Sequence, residues 1–160
     1  YRDLETLVIA LNQTVSRMTK GEKYLTFFIA IADIKQNMLY YVNAGHIPPL
    51  LIKGNESTEL KATTTIIGHF ENLPEINEGI VRLDEDVTLI AFTDGLVDIK
   101  NKSGKNYNTE MLKRHILENK MLDAEQTAGS VMEELLTFKE DQEVPDDIAI
   151  LTFKFYKDEK

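Results

Sequence analysis

Two acidic segments each stand at the end of a strongly apolar stretch. Asp94 directly follows the apolar run 87–93, and Asp146 and Asp147 precede the apolar run 148–155. A carboxylate at a strand end is held on a rigid scaffold, which suits a metal ligand. If the two runs are neighbouring strands, their carboxylates converge at one edge of a sheet. Carboxylate oxygens favour hard cations such as Mg²⁺ or Mn²⁺.

Each acidic segment also has a purely structural interpretation. Asp94 with Gly95 is a common turn pair, and Asp146 with Asp147 after Pro145 would suit a solvated turn. Adjacent carboxylates repel each other, so a folded site that holds both needs water or a cation. The choice between these interpretations depends on whether the two segments meet.

A third segment, residues 43–46, ends another predicted strand. Gly45 gives access to backbone conformations that other residues avoid, and His46 could donate a hydrogen bond to a phosphate or orient a water. The alternative is a structural histidine satisfied by the backbone. His69 and His115 have no motif around them and are interpreted as structural or surface residues.

Composition and motif content exclude several function classes. The net charge of −9 makes nucleic acid an improbable partner. The chain has no cysteine, which excludes disulfides, thiolate metal sites and cysteine nucleophiles and fits a cytoplasmic protein. No apolar run reaches the roughly 20 residues needed for a membrane span. Without a P-loop, a nucleophile elbow or an H-E-x-x-H motif, metal-assisted hydrolysis is the best enzyme class remaining.

The hydrophobic pattern predicts an α+β domain over residues 1–160. Helices are predicted over 3–20, 108–119 and 123–138, capped by Asp3, Asn108 and Asp123. Strands are predicted over 24–32, 38–42, 50–52, 80–83, 87–93 and 148–155. The first two strands form one predicted hairpin, with 24–32 central and buried, and strands 80–83 and 87–93 form another. Because hairpins predominate, the sheets should be mainly antiparallel.

Three motifs in this order resemble those of the type 2C metal-dependent protein phosphatases. They are Asn-Ala-Gly-His-Ile-Pro-Pro at 43–49, Phe-Thr-Asp-Gly-Leu-Val-Asp at 92–98 and Pro-Asp-Asp-Ile-Ala-Ile at 145–150. The match is closest to the SpoIIE-type bacterial branch of that family. The resemblance implies a sandwich of two antiparallel sheets flanked by helices. It also implies hydrolysis of phosphoserine or phosphothreonine in a protein.

The resemblance assigns roles to particular residues. In the complete family site, two Mg²⁺ or Mn²⁺ ions activate a bridging water for in-line attack on phosphorus. Asp94 and Asp146 match metal ligands, and Asp147 stands beside them as a third candidate. The remaining matches are pocket residues and loop-shaping glycines near the site: Gly45, His46, Gly68 and Gly95.

The family pattern also has an upstream Asp-x-x-Gly-His-Gly segment, which this chain lacks. We therefore expect an incomplete site that holds one metal or none, in a fragment that is inactive alone and incomplete at its N-terminus. The terminal motif has Ala149 where threonine is usual, and His69 follows Gly68 where an apolar residue is commoner.

Two hypotheses follow from these residues. In the first, the chain is the phosphatase part of a longer protein with an upstream sensor domain. Its substrate is then a phosphorylated regulatory protein such as an anti-sigma-factor antagonist. In the second, it is a degenerate phosphatase-fold module that binds a partner or forms a homodimer without catalysis.

Overall fold

The three predicted helices are present in the computed structural model, which describes residues 3–157. They are α1 (Leu4–Thr19), α2 (Thr109–Glu118) and α3 (Ala124–Lys139). Each predicted N-cap side chain accepts a hydrogen bond from a backbone N–H of the first turn. Asp123 also forms the predicted capping box with Gln126. The ends of the predicted domain, residues 1–2 and 158–160, lie outside the described residues.

The described strands form two antiparallel sheets. The strands are β1 (Phe27–Asp33), β2 (Met38–Ala44), β3 (Leu50–Lys53), β4 (Glu56–Glu59), β5 (Gly79–Arg82), β6 (Val87–Phe92) and β7 (Ile150–Phe155). One sheet has the order β1-β2-β5 and the other has the order β4-β3-β6-β7. The predicted α+β class with antiparallel sheets and helices is confirmed.

Two details of the strand prediction are wrong. β5 and β6 do not form a hairpin, because β5 pairs with β2 whereas β6 lies between β3 and β7. The acidic link 84–86 therefore connects strands of different sheets. β1 is not a central buried strand: within residues 3–157 it pairs only with β2, and all its residues are half-buried. Its apolar composition reflects partial burial on both faces, which periodicity does not distinguish from full burial.

The chain divides into two compact units. The first joins the segment ending at Pro48 to Leu60–Asp84, and the second joins Pro49–Glu59 to the segment beginning at Glu85. In the first unit, α1 lies against β2, and the buried cluster consists of Leu4, Val8, Tyr40, Val42, Ala44 and Ile67. The expectation of one domain over residues 1–160 stays a prediction.

In the second unit, β6 is almost entirely buried, which gives the candidate carboxylates a rigid base. The helix α3 packs against β7 and α2, and its inward residues include Val131 and Leu135. Met132 and Leu136 also carry the apolar pattern of this helix, yet Leu136 is 55% exposed. The pattern therefore predicts a wider apolar stripe than the helix buries here.

A buried asparagine of α1 forms hydrogen bonds with the loop at residues 68–71, which belongs to the same unit. The side chain of Asn12 is 1% exposed. Its Oδ1 accepts the N–H of Gly68 at 2.8 Å, and its Nδ2 donates to the carbonyls of Phe70 and Glu71 at 3.0 and 3.2 Å. One side chain thus satisfies three backbone groups of a loop, which sets the position of that loop on the helix.

We expect Asn12→Ala to lower the free energy of unfolding by about 2–3 kcal/mol, because it leaves the buried Gly68 N–H and two carbonyls without their partner. Urea unfolding followed by circular dichroism measures this change. Gln13→Ala is the matched control, since no hydrogen bond among residues 3–157 uses the Gln13 side chain, and we expect it to change stability by at most about 0.5 kcal/mol. Equal effects of the two substitutions would contradict this role of Asn12.

Candidate metal site

The two acidic segments meet at one end of the second sheet. β6 and β7 are antiparallel neighbours, and their pairing ends at Phe92 opposite Ile150. This confirms the predicted adjacency of the two apolar runs. Just past that pair the chain enters a single 3-10 turn, Asp94–Leu96. Asp94 therefore leaves one strand where Asp146 and Asp147 lead into the other.

Thr93 joins these two segments by hydrogen bonds. Its backbone N–H donates to the carbonyl of Ala149 at 3.1 Å. Its hydroxyl donates to the carbonyl of Asp147 at 2.9 Å and accepts the N–H of Ala149 at 2.9 Å. No role was predicted for Thr93, although a threonine between a buried strand and an aspartate could have indicated one. The three bonds hold the backbone of the two carboxylate-bearing segments together.

Gly95 makes the approach of these segments possible. A Cβ atom at this position would lie 2.5 Å from the carbonyl oxygen of Asp147 and 3.0 Å from that of Asp146. Real Cβ atoms do not come so close to backbone oxygens, so only glycine fits here without displacing the loop. Gly95 is buried, because it lies between two segments that are in contact.

The two leading carboxylates are oriented by their own loops. Asp94 Oδ1 accepts the N–H of Gly95 at 3.1 Å, and Asp146 Oδ1 accepts the N–H of Asp147 at 2.7 Å. No hydrogen bond of the described residues uses Oδ2 of either side chain. All three aspartates are exposed to solvent. Each leading carboxylate thus has one oxygen anchored and one oxygen available.

This donor set fits a hard divalent cation that keeps much of its water. Mg²⁺ and Mn²⁺ take oxygen ligands, and Mg²⁺ is often held by one or two carboxylates with several waters. Within residues 3–157, no three side chains of histidine, cysteine, aspartate or glutamate are gathered closely enough to form a metal site. The described residues therefore supply neighbouring ligand segments rather than an assembled cage.

Gly45 and His46 lie in the first unit, in a loop organised by buried Asn43. The Oδ1 of Asn43 accepts the N–H of His46 at 2.8 Å, and its Nδ2 donates to the carbonyl of Leu60 at 2.9 Å. Gly45 has a φ of +71°, a backbone conformation that is unfavourable for residues other than glycine. The half-buried ring of His46 places Nδ1 3.4 Å from the hydroxyl of Thr26.

Gly68 lies in the same unit and has a packing role. Its φ of +91° is in the region that favours glycine, and an added Cβ would lie 2.5 Å from Val15 Cγ1 and 2.9 Å from the carbonyl oxygen of Lys23. The loops of Gly45 and Gly68 are close together, because a Cβ on Gly45 would lie 2.6 Å from a side-chain carbon of Ile66. The predicted loop-shaping glycines thus lie where other residues do not fit.

The other two histidines make structural contacts in the described residues. His115 lies between helices, with Nδ1 3.1 Å from Glu134 Oε2 and Nε2 3.1 Å from the Ser130 hydroxyl. The hydroxyl of Tyr107 donates to the same Glu134 oxygen at 2.6 Å, and burial raises the pKa of Tyr107. His69 is exposed, with its ring edge-on to that of Phe70 at 4.7 Å.

Comparison with known protein families identifies the family of this chain. The family model described as Stage II sporulation protein E (SpoIIE) matches residues 2–156, nearly the whole sequence. This chain belongs to the SpoIIE family. The resemblance carried by the three motifs at 43–49, 92–98 and 145–150 is thereby confirmed.

Two relatives illustrate how far the similarity extends. Phosphoserine phosphatase RsbP of Bacillus subtilis (strain 168) is 36% identical over 98 residues, which cover 60% of this chain and 23% of the relative. Stage II sporulation protein E of Priestia megaterium is 25% identical over 151 residues, 94% of this chain and 25% of the relative. The chain thus spans about a quarter of the length of these relatives.

Solved structures share the fold. The SiaA-PP2C domain of Pseudomonas aeruginosa matches with a TM-score of 0.85 at 20% identity, over 96% of this chain and 61% of that one. The Mn-presoaked phosphatase domain of SpoIIE from Bacillus subtilis matches with a TM-score of 0.71 at 20% identity, over 99% and 69%. None of the helices within residues 3–157 has both the length and the apolar character needed to cross a membrane.

Proposed function

We propose that this chain is part of a metal-dependent phosphoserine/phosphothreonine protein phosphatase. The observation that carries the proposal is the junction of β6 and β7, where Thr93 holds the Asp94 loop against the Asp146–Asp147 segment. Membership of the SpoIIE family supports the reaction class. Both segments carry oxygen donors suited to Mg²⁺ or Mn²⁺.

The reaction is hydrolysis of a phosphate ester. The oxygen of water attacks phosphorus, the bond from phosphorus to the seryl oxygen breaks, and the seryl oxygen takes up a proton to give serine and inorganic phosphate. Asp94 and Asp146 would hold the cation through their available Oδ2 atoms, with Asp147 beside them. When bound, the cation supplies positive charge to the phosphoryl oxygens and lowers the pKa of the attacking water.

The chain's own residues position these ligands. The backbone N–H groups of Gly95 and Asp147 each fix one carboxylate oxygen, and Gly95 allows the two segments to touch. Such support lowers the cost of assembling the site when the cation arrives. Further ligands would come from water or from other parts of the whole protein. Gly45, His46 and Gly68 remain proposed pocket residues on the basis of the family resemblance alone.

The proposed substrate is a phosphorylated cytoplasmic regulatory protein, of which an anti-sigma-factor antagonist is one example. A sensor domain upstream would regulate the reaction, and a homodimer would be compatible with such control. These parts of the proposal rest on family membership and on the name of RsbP, which is a phosphoserine phosphatase. They concern the whole protein, because this chain spans only about a quarter of the length of its relatives.

The test measures phosphate release from a phosphoserine protein by the complete gene product. We expect release with Mn²⁺ or Mg²⁺, complete loss when EDTA removes the cation, and recovery when excess metal is restored. Residues 1–160 expressed alone serve as the comparison and are expected to be inactive. Stable binding of the phosphoprotein without any phosphate release by the complete protein would favour the non-catalytic module instead.

A further inference from the structure

A polar cleft opens beside the candidate metal site, within the second unit. It has a volume of about 570 Å³ and is lined by Asp98, Lys100, Asn106, Gln142, Glu143 and Pro145. Its walls continue directly into the two acidic segments. The N–H of Asp98 donates to the carbonyl of Asp94 at 3.0 Å, and Pro145 precedes Asp146 in the chain. A substrate group held at the carboxylates would therefore have this cleft as its immediate surroundings.

One wall of the cleft is a small, well-anchored hairpin at residues 99–107. The N–H of Tyr107 donates to the carbonyl of Ile99 at 2.8 Å, and the backbones of Lys100 and Asn106 form a β-bridge. Ile99 and Tyr107 are both buried, and the Tyr107 hydroxyl is bonded to Glu134 on α3. The backbone of Lys100 is thus fixed by its neighbours, as a substrate-binding residue requires.

Among residues 3–157, Lys100 is the only cationic side chain that lines the cleft, and the carboxylates of Asp98 and Glu143 line it as well. No described side chain lies within ion-pair or hydrogen-bonding distance of its ammonium. Its neighbour Lys102, in contrast, lies 3.4 Å from both Glu140 and Asp141. A lysine ammonium without a direct partner is available to bind an incoming anion.

A dianionic phosphoserine approaches a surface here that is rich in carboxylates. Asp94, Asp146 and Asp147 lie at the strand ends, and the cleft adds Asp98 and Glu143. A divalent cation offsets part of this charge when bound, but the outer phosphoryl oxygens still face the acidic cleft. A positive side chain at the cleft wall lowers that repulsion and gives the phosphate a direct hydrogen-bond donor.

We propose that Lys100 is a substrate-binding residue whose ammonium binds the phosphoryl oxygens of phosphoserine. The residues that flank the phosphoserine then lie in the cleft between Asn106 and Gln142. This proposal rests on the phosphatase function proposed above, and it adds a cationic residue from the second unit that contacts the phosphate. Lysine acts on phosphate as a mobile point charge, so the contact does not need a fixed fork geometry.

The test compares Lys100→Gln with Lys105→Gln in the Mn²⁺-loaded complete gene product. Both changes remove one positive charge from the same hairpin, but Lys105 does not line the cleft. For p-nitrophenyl phosphate and for a phosphoserine peptide with neutral flanks, we expect Lys100→Gln to raise KM about 10-fold and to affect kcat less. Inhibition by inorganic phosphate should weaken by the same factor. Lys100→Arg should restore most of the loss, and Lys105→Gln should stay within about 2-fold of wild type.

Several outcomes would overturn the assignment. Unchanged KM and phosphate inhibition in Lys100→Gln would remove Lys100 from the site. A loss confined to peptides with acidic flanks, with p-nitrophenyl phosphate unaffected, would assign Lys100 to a flanking side chain instead. Calorimetric titration of Mn²⁺-loaded protein with inorganic phosphate gives a readout without turnover. If the wild type releases no phosphate from any substrate, the proposed function fails, whereas this titration still decides the role of Lys100.

Discussion

Asp94→Asn is expected to lower Mn²⁺-dependent phosphate release by roughly 100- to 1,000-fold, because a metal ligand supplies several kcal/mol of transition-state stabilisation. The amide has the shape of the carboxylate, and its oxygen can still accept the N–H of Gly95. The substitution removes only the negative charge and one carboxylate oxygen that could bind the metal. The side chain is exposed, so the free energy of unfolding should change by at most about 0.5 kcal/mol. Phosphate release and thermal unfolding, measured on the same preparation, separate the two effects.

Asp141→Asn is the matched control for this experiment. Asp141 is another exposed aspartate of the second unit, and its described ionic contact is with Lys102 at 3.4 Å. The substitution changes net charge by the same amount, so it measures the general effect of charge on activity. We expect it to leave phosphate release within about 2-fold of wild type. Full activity of Asp94→Asn would refute the assignment of Asp94 as a ligand.

Gly95→Ala is expected to reduce activity at least about 100-fold and to lower the free energy of unfolding by about 1–3 kcal/mol. The new methyl group would lie 2.5 Å from the carbonyl oxygen of Asp147 and 3.0 Å from that of Asp146. Both are backbone atoms and cannot rotate away, so the two loops must separate. That movement stretches the hydrogen bonds of Thr93 and displaces the candidate ligands relative to each other. Phosphate release and urea unfolding report the two consequences.

Gly129→Ala provides a control of opposite sign. Gly129 lies within α3, and a Cβ added there would have no atom of residues 3–157 within 4 Å apart from its own stretch of helix. Alanine in a helix interior is favoured over glycine by roughly 0.5–1 kcal/mol, so this change should stabilise the protein and leave activity unaltered. If Gly95→Ala behaves like Gly129→Ala, the two acidic segments are not in the contact described above.

The helix boundaries could be predicted because their signals are local. The side chain of Asp123 bonds the N–H of Gln126 only three residues away, and Gln126 bonds back to Asp123. Asp3 and Asn108 act within the same short range. The turn between β1 and β2 has a similar signal, since Asp33 Oδ1 accepts the N–H of Gln36 at 3.0 Å. In each case the interacting groups are only a few residues apart in sequence, so the residue types alone indicate the contact.

The pairing of the strands in the middle of the chain could not be predicted from local signals. Strands 80–83 and 87–93 look like a hairpin because they are close in sequence, yet β5 bonds to β2 and β6 bonds to β3 and β7. An edge of a strand offers the same N–H and C=O groups to any partner. Which partner it takes depends on the burial of whole faces in the folded chain. The short β4 was not predicted for a different reason, because Glu56–Glu59 has little apolar pattern of its own.

The sequence by itself determined which groups are available for chemistry: carboxylates at two strand ends, three ordered motifs and no cysteine. It also determined the three helix caps, because these depend on contacts within a few residues. Only the tertiary structure decided that Thr93 bonds to Asp147 across 54 positions of chain, and that Gly95 allows that approach. It alone brought Lys100 and Glu143 to the lining of one cleft. The physical reason is that such contacts form between segments distant in sequence, and packing of the whole unit selects them.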